Sequence, residues 1–355
     1  MGEILGLGIT HFPGLAPAAP GPRSLKRALQ DPGMPEEYRT PAGWPDAMRA
    51  EWGDDEGASA GLRHRDAVVA EMRKARQVLD EFKPDLLVVW GDDQYENFRE
   101  DIVPAFSVLA YDQVETHPWK HHAGTSNFIG NRNYWQEPEE LGVLVKGHRQ
   151  AAKFLARGLL AENFDVAYAY KPLHQDLGHA FLNSVLYLDW DRKGFEYPLI
   201  PFPINCYGRG LIALQGYMAS MEHPPTGDDL DPPSPSPARC FDVGAACARV
   251  LRDSPWRVAL VASSSWSHAF LTPKHHYLYP DIPADRELYA AMRAGNYGEW
   301  RKRSLEAVED SGQQELLNWF CLMGAMAELG RKVSYSKFIE SWIMNSNKVI
   351  ATFEP

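Results

Sequence analysis

The sequence predicts an α/β fold: a single domain with a central mixed, mostly parallel sheet, helices on both faces, and long loop insertions. Three observations predict it. Short apolar runs recur along the chain, at Ile4–Thr10, Asp85–Trp90, Tyr197–Ile204 and Arg257–Ser263. Segments of helical periodicity lie between them, and alternation of this kind gives layered α/β folds. The 355 residues are 45% hydrophobic, enough for one large core.

Each element has its own reason. Ile4–Thr10 is an apolar strand that breaks at His11-Phe12-Pro13. From Pro13 to Gly61 the chain is Pro/Gly-rich with weak periodicity, which predicts an irregular insertion or lid (13–61). Over His64–Phe82, Ala67, Val68, Met72, Ala75, Val78 and Leu79 recur at helical spacing. Asp85–Trp90 (DLLVVW) is continuously apolar and ends at Gly91-Asp92-Asp93, as a strand buried on both faces does. Gly147–Leu160 reads as a helix, Phe164–Tyr170 as a strand and Phe241–Leu251 as a helix. The segment 224–237 (PPTGDDLDPPSPSP) is a Pro-rich surface loop rather than a linker, because the strand–helix alternation resumes after it. From Ile282 onward the expectation is mostly helix, with a long one over about Gln313–Leu329. The whole is read as one catalytic domain, 1–355.

Composition excludes several function classes. The formal net charge is -11, which repels phosphate backbones and argues against nucleic acid as a partner. No run approaches the ~20 apolar residues of a membrane helix. The N-terminus lacks the basic and apolar regions of a signal peptide. The four cysteines are scattered without a CxxC pair, which excludes a zinc ribbon. The expectation is a soluble, cytoplasmic protein with reduced thiols.

Polar clusters stand where apolar elements end. His11 closes the first strand, where open α/β sheets place ligands, and neutral imidazole ligates first-row metals. Taken alone it reads better as a core or capping histidine. Asp92, Asp93 and Glu96 put three carboxylates within five residues after a buried strand. That density is costly unless a metal or backbone donors compensate it. Ser263-Ser264-Ser265-Trp266-Ser267-His268 follows the strand RVALVA and suits a general base facing a ligand. A serine hydrolase is disfavoured, because the chain has no GxSxG elbow. Glu315 opens an apolar helix, where the helix dipole alone would favour it. His174 and His179, four apart, read either as a metal pair or as one acid/base and one structural histidine. His121-His122 and His275-His276 read as loop residues. Phe12, Tyr95, Trp266 and Trp319 are available as aromatic walls, although packing is the blander role for each.

These sites occur in the order of one known family. The chain resembles the class III extradiol ring-cleavage dioxygenases, the superfamily of the protocatechuate 4,5-dioxygenase catalytic β-subunit. The likeness lies in Thr10-His11-Phe12-Pro13, Asp85–Phe106, Ile200-Pro201-Phe202-Pro203-Ile204-Asn205, Arg239-Cys240-Phe241, Trp266-Ser267-His268 and Glu315. The resemblance implies a non-haem metal-dependent oxidoreductase that opens a catechol-type ring beside its two hydroxyls, incorporating both atoms of O2. It implies Fe(II) held by two histidines and one carboxylate, with Mn(II) or another divalent metal as substitute. His11 would be the first ligand and Glu315 the carboxylate. His268 would be the base, and His179 a second active-site histidine. Phe12, Tyr95, Trp266 and Asn205 would meet a small catecholic substrate.

The chain departs from the family at the second ligand. Where the family has Asn-Asp-His, this sequence has Gly91-Asp92-Asp93. Asp93 stands at the histidine position and would give one histidine and two carboxylates, a harder set. His64 is the alternate nitrogen ligand. A third alternative is loss of the metal site. Two other functions therefore stay open, a metal-dependent hydrolase or amidase and a non-catalytic binding homologue. Substrate specificity is expected in 13–61 and in Thr116–Gln136, through His117, Trp119, Arg132 and Trp135. A homo-oligomer is expected, with a small second subunit as the alternative.

Overall fold

In the computed structural model, which describes residues 2–122, 128 and 130–355, ten strands form three sheets. They are β1 (Ile4–Ile9), β2 (Leu86–Asp92), β3 (Ser107–Leu109), β4 (Gln113–Thr116), β5 (Val143–Lys146), β6 (Ala167–Ala169), β7 (Leu199–Ile204), β8 (Val258–Ser263), β9 (Tyr335–Ile339) and β10 (Lys348–Phe353). The main sheet has the order β7-β2-β8-β1-β10-β9. β7, β2, β8 and β1 are mutually parallel, whereas β10 runs antiparallel to both β1 and β9. β3 pairs with β6 and β4 with β5 in two small ribbons.

The continuous apolar runs have the expected cause. Every residue of β1, β2, β7 and β8 is buried, because helices cover both faces of the sheet. On one face Leu260, Val88 and Ile200 meet the helices Pro237–Arg252 and Leu317–Glu328. On the other, Leu5, Leu7, Val89 and Val261 meet the helices Ala58–Phe82 and His179–Leu188. Close approach is built in by glycine. A Cβ on Gly8 would stand 2.1 Å from the Trp319 ring, and one on Gly324 would stand 1.8 Å from the Phe241 carbonyl oxygen.

Residues 13–61 are irregular but not loose. They carry the short helices Arg23–Ala28 and Asp46–Trp52, and the last of them join the helix that begins at Ala58. Leu25, Met34, Trp44 and Met48 form a third apolar cluster with Leu278, Ile343 and Met344. The insertion is thereby anchored to the C-terminal segment.

Two expectations need correction. The C-terminal part is mostly helical only as far as Glu328; after it β9 and β10 form an unexpected hairpin that places β10 beside β1. The long helix is Leu317–Glu328, entered through a single 3-10 turn at Gln314–Leu316 that holds Glu315. His121 and His122 end a short helix, Pro118–His122, and residues 123–127 and 129 of the expected specificity segment lie outside the described residues. No helix among the described residues is long and apolar enough to cross a membrane.

Packing at the sheet gives a paired prediction. Gly8→Ala should lower stability by about 1–3 kcal/mol through overpacking against Trp319. Gly298→Ala, in a helix and with nothing within 4 Å of its Cβ position, should raise stability by up to about 1 kcal/mol. Urea unfolding of both variants checks the two signs.

Candidate metal and acid/base centre

The carboxyl ends of β1, β2 and β8 lie side by side, and the chain leaves each strand with a polar residue there. His11 follows β1. Its Nδ1 lies 3.0 Å from the Ser263 carbonyl oxygen, to which it donates, at the end of the neighbouring β8. That bond fixes the tautomer and leaves the Nε2 lone pair facing Asp92 and Glu315. Asn183 Nδ2 donates to the His11 carbonyl at 3.0 Å, and Ser184 Oγ donates to Ser263 Oγ at 2.7 Å.

Two carboxylates converge on this imidazole. His11 Nε2 lies 3.4 Å from Asp92 Oδ1 and 3.6 Å from Glu315 Oε2. Both oxygens are buried and accept no hydrogen bond among the described residues. The other oxygens are bridged by one phenol: Tyr207 Oη is 3.1 Å from Asp92 Oδ2 and 2.5 Å from Glu315 Oε1. Tyr207 follows β7, so the fourth parallel strand also contributes.

Histidines complete the cluster. His268 Nε2 lies 3.2 Å from Glu315 Oε1. His179 sits edge-on to His11, with ring centroids 4.9 Å apart, and opens the helix His179–Leu188. Its Nδ1 is 2.8 Å from Glu96 Oε2, which also accepts the His179 backbone N–H. Ligand atoms of His11, Asp92 and His179 all lie within 4.8 Å of one another.

The electrostatics are one-sided. Burial and the neighbouring Asp92 charge push the Glu315 carboxyl well up. Burial pushes Asp92 up to about 6, with Glu96 adding to it and His179 opposing. Burial, with His179 and His268 nearby, holds His11 well below the usual imidazole range. Burial, with Lys348 behind it, takes His268 down to about 3. His179 is the exception: burial opposes its charge, but Glu96, Asp92 and Glu315 outweigh that and raise it to about 10. One cationic imidazole thus faces a surplus of buried acid. A divalent cation between His11 Nε2, Asp92 Oδ1 and Glu315 Oε2 would relieve it, and the oxygen-rich donor set fits a hard or borderline metal.

Of the Asp92–Asp93 pair it is Asp92, not the expected Asp93, that faces His11. Asp93 does not face His11; its carboxylate accepts the backbone N–H groups of Glu96, Asn97 and Phe98. It shapes the loop that carries Glu96. Strand alternation is the reason, since successive residues leaving β2 point to opposite faces. His64 is also outside the cluster. It is buried with its ring edge-on to Phe12 at 6.3 Å, and its Nε2 has no hydrogen-bond partner among the described residues. His174 pairs with Asp101, whereas His179 pairs with Glu96. His275 stacks on Tyr279 and His276 on Tyr38.

The expected substrate contacts separate in the same way. Phe12 borders the cluster, with Lys348 Nζ 3.7 Å from its ring centroid. Trp266 is fully buried against Trp300, Trp319 and Phe338 and is core. Tyr95 lies on the outer part of its loop beside Arg99. Asn205 Oδ1 accepts the Gly208 N–H and shapes the turn that holds Tyr207. Tyr207 and Lys348 were not singled out by sequence, and Asp92 and Glu96 stood out only as members of the acidic cluster, without the contacts they make here. Asp92 could have been found by asking which residue of the Asp-Asp pair continues the inward phase of β2.

No protein-family model matches the chain. It is 26% identical over 329 residues to a 2,3-dihydroxyphenylpropionate/2,3-dihydroxicinnamic acid 1,2-dioxygenase of Burkholderia vietnamiensis (strain G4 / LMG 22486), covering 78% of this chain and 88% of that one. It is 28% identical over 304 residues to the protein of that name from Paraburkholderia phymatum, with the same coverages. A third relative of that name, from Comamonas testosteroni, is 24% identical over 69% of this chain and 61% of its own.

The ligand assignment predicts a contrast between neighbours. Asp92→Asn should lower divalent-metal content and affinity by at least about tenfold, whereas His64→Ala should leave them intact. Asp93→Asn should disturb the loop with a smaller effect on affinity. Metal analysis after anaerobic loading checks this, and full occupancy in Asp92→Asn with loss in Asp93→Asn would reverse the assignment.

Proposed function

We infer that this chain, a relative of the class III extradiol ring-cleavage dioxygenases, opens a catechol-type aromatic ring beside its two hydroxyls with O2. The observation that carries the reading is the pair of orphaned carboxylate oxygens, Asp92 Oδ1 and Glu315 Oε2, facing the free nitrogen of His11, with His268 at their side. The proposed ligands are His11, Asp92 and Glu315, and the proposed metal is Fe(II). Bound there, the metal would supply Lewis acidity toward the substrate hydroxyls and an electron source for O2. The relatives' names make 2,3-dihydroxyphenylpropionate the first substrate to test.

The protein's own groups divide the proton work. His268 is neutral and buried, so it can accept a proton from a catechol hydroxyl. His179, ion-paired with Glu96, holds a proton beside His11 and can return one as the ring opens. Two like groups set apart by their surroundings are the usual way one site supplies both acid and base. Tyr207 keeps Asp92 and Glu315 aligned through its hydroxyl. Phe12, the residue after His11, offers an aromatic face that lies over Lys348.

The hard donor set also favours a second reading, metal-dependent hydrolysis, because one imidazole and two carboxylates suit water activation. O2 separates the two. After anaerobic Fe(II) loading, addition of O2 with a catechol panel should give stoichiometric O2 uptake and a coloured ring-fission product. Background uptake with both Fe(II) and Mn(II) across the panel would defeat the dioxygenase reading. Product formed equally without O2 would favour hydrolysis. His268→Ala should retain the metal and lower kcat by about 10²–10⁴.

A further inference from the structure

Asp285 is a fully buried carboxylate outside the ligand cluster, on the helix Ile282–Ala294. Helix capping does not explain it, since Asp281 already caps that helix by accepting the Ala284 N–H. Its oxygens are spent on three other segments. Oδ1 accepts Gln313 Nε2 at 2.7 Å and the Ser267 N–H at 3.1 Å. Oδ2 accepts Asn347 Nδ2 at 2.7 Å and the same Ser267 N–H at 3.1 Å.

The positions of those partners matter. Ser267 precedes His268, Gln313 lies two residues before Glu315, and Asn347 precedes Lys348. None of the three contacts falls inside a helix or strand, so no regular ladder fixes them. Further bonds join the segments to one another around Asp285. The His268 N–H donates to the Gly312 carbonyl at 2.8 Å, and the Trp266 N–H donates to the Asn347 carbonyl at 3.0 Å. Ser267 Oγ donates to the Ser311 carbonyl at 2.5 Å. A buried carboxylate is expensive, and an apolar residue there would cost less. Burial pushes Asp285 up to about 7, against the pull of the Asn347, Gln313 and Ser267 donors.

We propose that Asp285 is a positioning residue that sets the spacing between His268 and Glu315 by clamping the segments that carry them. The proposal rests on the reading of His268 and Glu315 as base and metal ligand. Its geometric part stands independently of turnover.

The test is a donor–acceptor swap. In Asp285→Asn the new Nδ2 points at Asn347 Nδ2, donor against donor. In Asp285→Asn combined with Asn347→Asp, the amide donates to the new carboxylate, Oδ1 still serves Gln313 and Ser267, and net charge is unchanged. Asp285→Asn should weaken Mn(II) affinity about 10–100-fold. It should lower kcat with 2,3-dihydroxyphenylpropionate by about a hundredfold with KM little changed. It should also speed hydrogen exchange of the His268 amide. The double variant should recover all three to within about fivefold of the parent, and it alone carries the test if the single variant fails to fold. The exchange measurement needs neither metal nor substrate, so it reports even if the parent protein turns over no catechol. Parental affinity, turnover and exchange in Asp285→Asn would overturn the proposal. So would losses that the swap leaves unrepaired, or a change confined to the melting temperature.

Discussion

The structure turns on a buried surplus of acidic groups at the carboxyl ends of parallel strands. Asp92 and Glu315 meet at His11, Glu96 pairs with the adjoining His179, and His179 is the one histidine of the cluster that its neighbours hold charged. Water cannot screen charges there, so each uncompensated carboxylate would cost several kcal/mol. The fold meets that cost by raising the proton affinity of Asp92 and Glu315, the two groups that the proposed cation would neutralise. The neutral state of His11 follows from the same constraint: its Nδ1 proton is committed to Ser263, leaving Nε2 as a donor atom for a cation.

Sheet topology makes this concentration possible. Four parallel strands end at one level, and His11, Asp92, Tyr207 and the Ser263–His268 segment all leave from that edge. Glu315 arrives from the opposite direction, on a 3-10 turn at the head of the helix Leu317–Glu328. Trp319 lies against Gly8 and ties that helix to β1. The C-terminal hairpin then closes the arrangement, because loop 344–347 bonds to the segment around His268. Lys348, held by the carbonyls of Met344 and Ser346, packs under Phe12 and joins the hairpin to the residue after His11.

Much of this was legible in sequence, and the failures have physical causes. The runs at Ile4, Asp85, Tyr197 and Arg257 could be read as strands because both faces are covered. His11, His268 and Glu315 stood out because polar residues rarely interrupt such elements without a role. Motif position favoured Asp93, whereas pleat phase turns Asp92 toward His11. Trp266 sits one residue from the base segment and looked like a wall, yet its indole fills the core behind that segment. KVIATF is short, and periodicity alone does not separate a short buried strand from a helical turn, so β10 went unseen. Tyr207 and Asp285 act through tertiary contacts that carry no local signature.

The central claim is that Asp92, Glu315 and His11 form a site that a divalent metal completes. Thermal unfolding of the metal-free protein under anaerobic conditions, with and without Fe(II), tests it most directly. A ligand that binds only the folded state at a hundredfold over its Kd stabilises by about 2.7 kcal/mol, so the transition should move upward in proportion to the logarithm of metal concentration. A transition that stays at the metal-free temperature at every Fe(II) concentration would contradict the account.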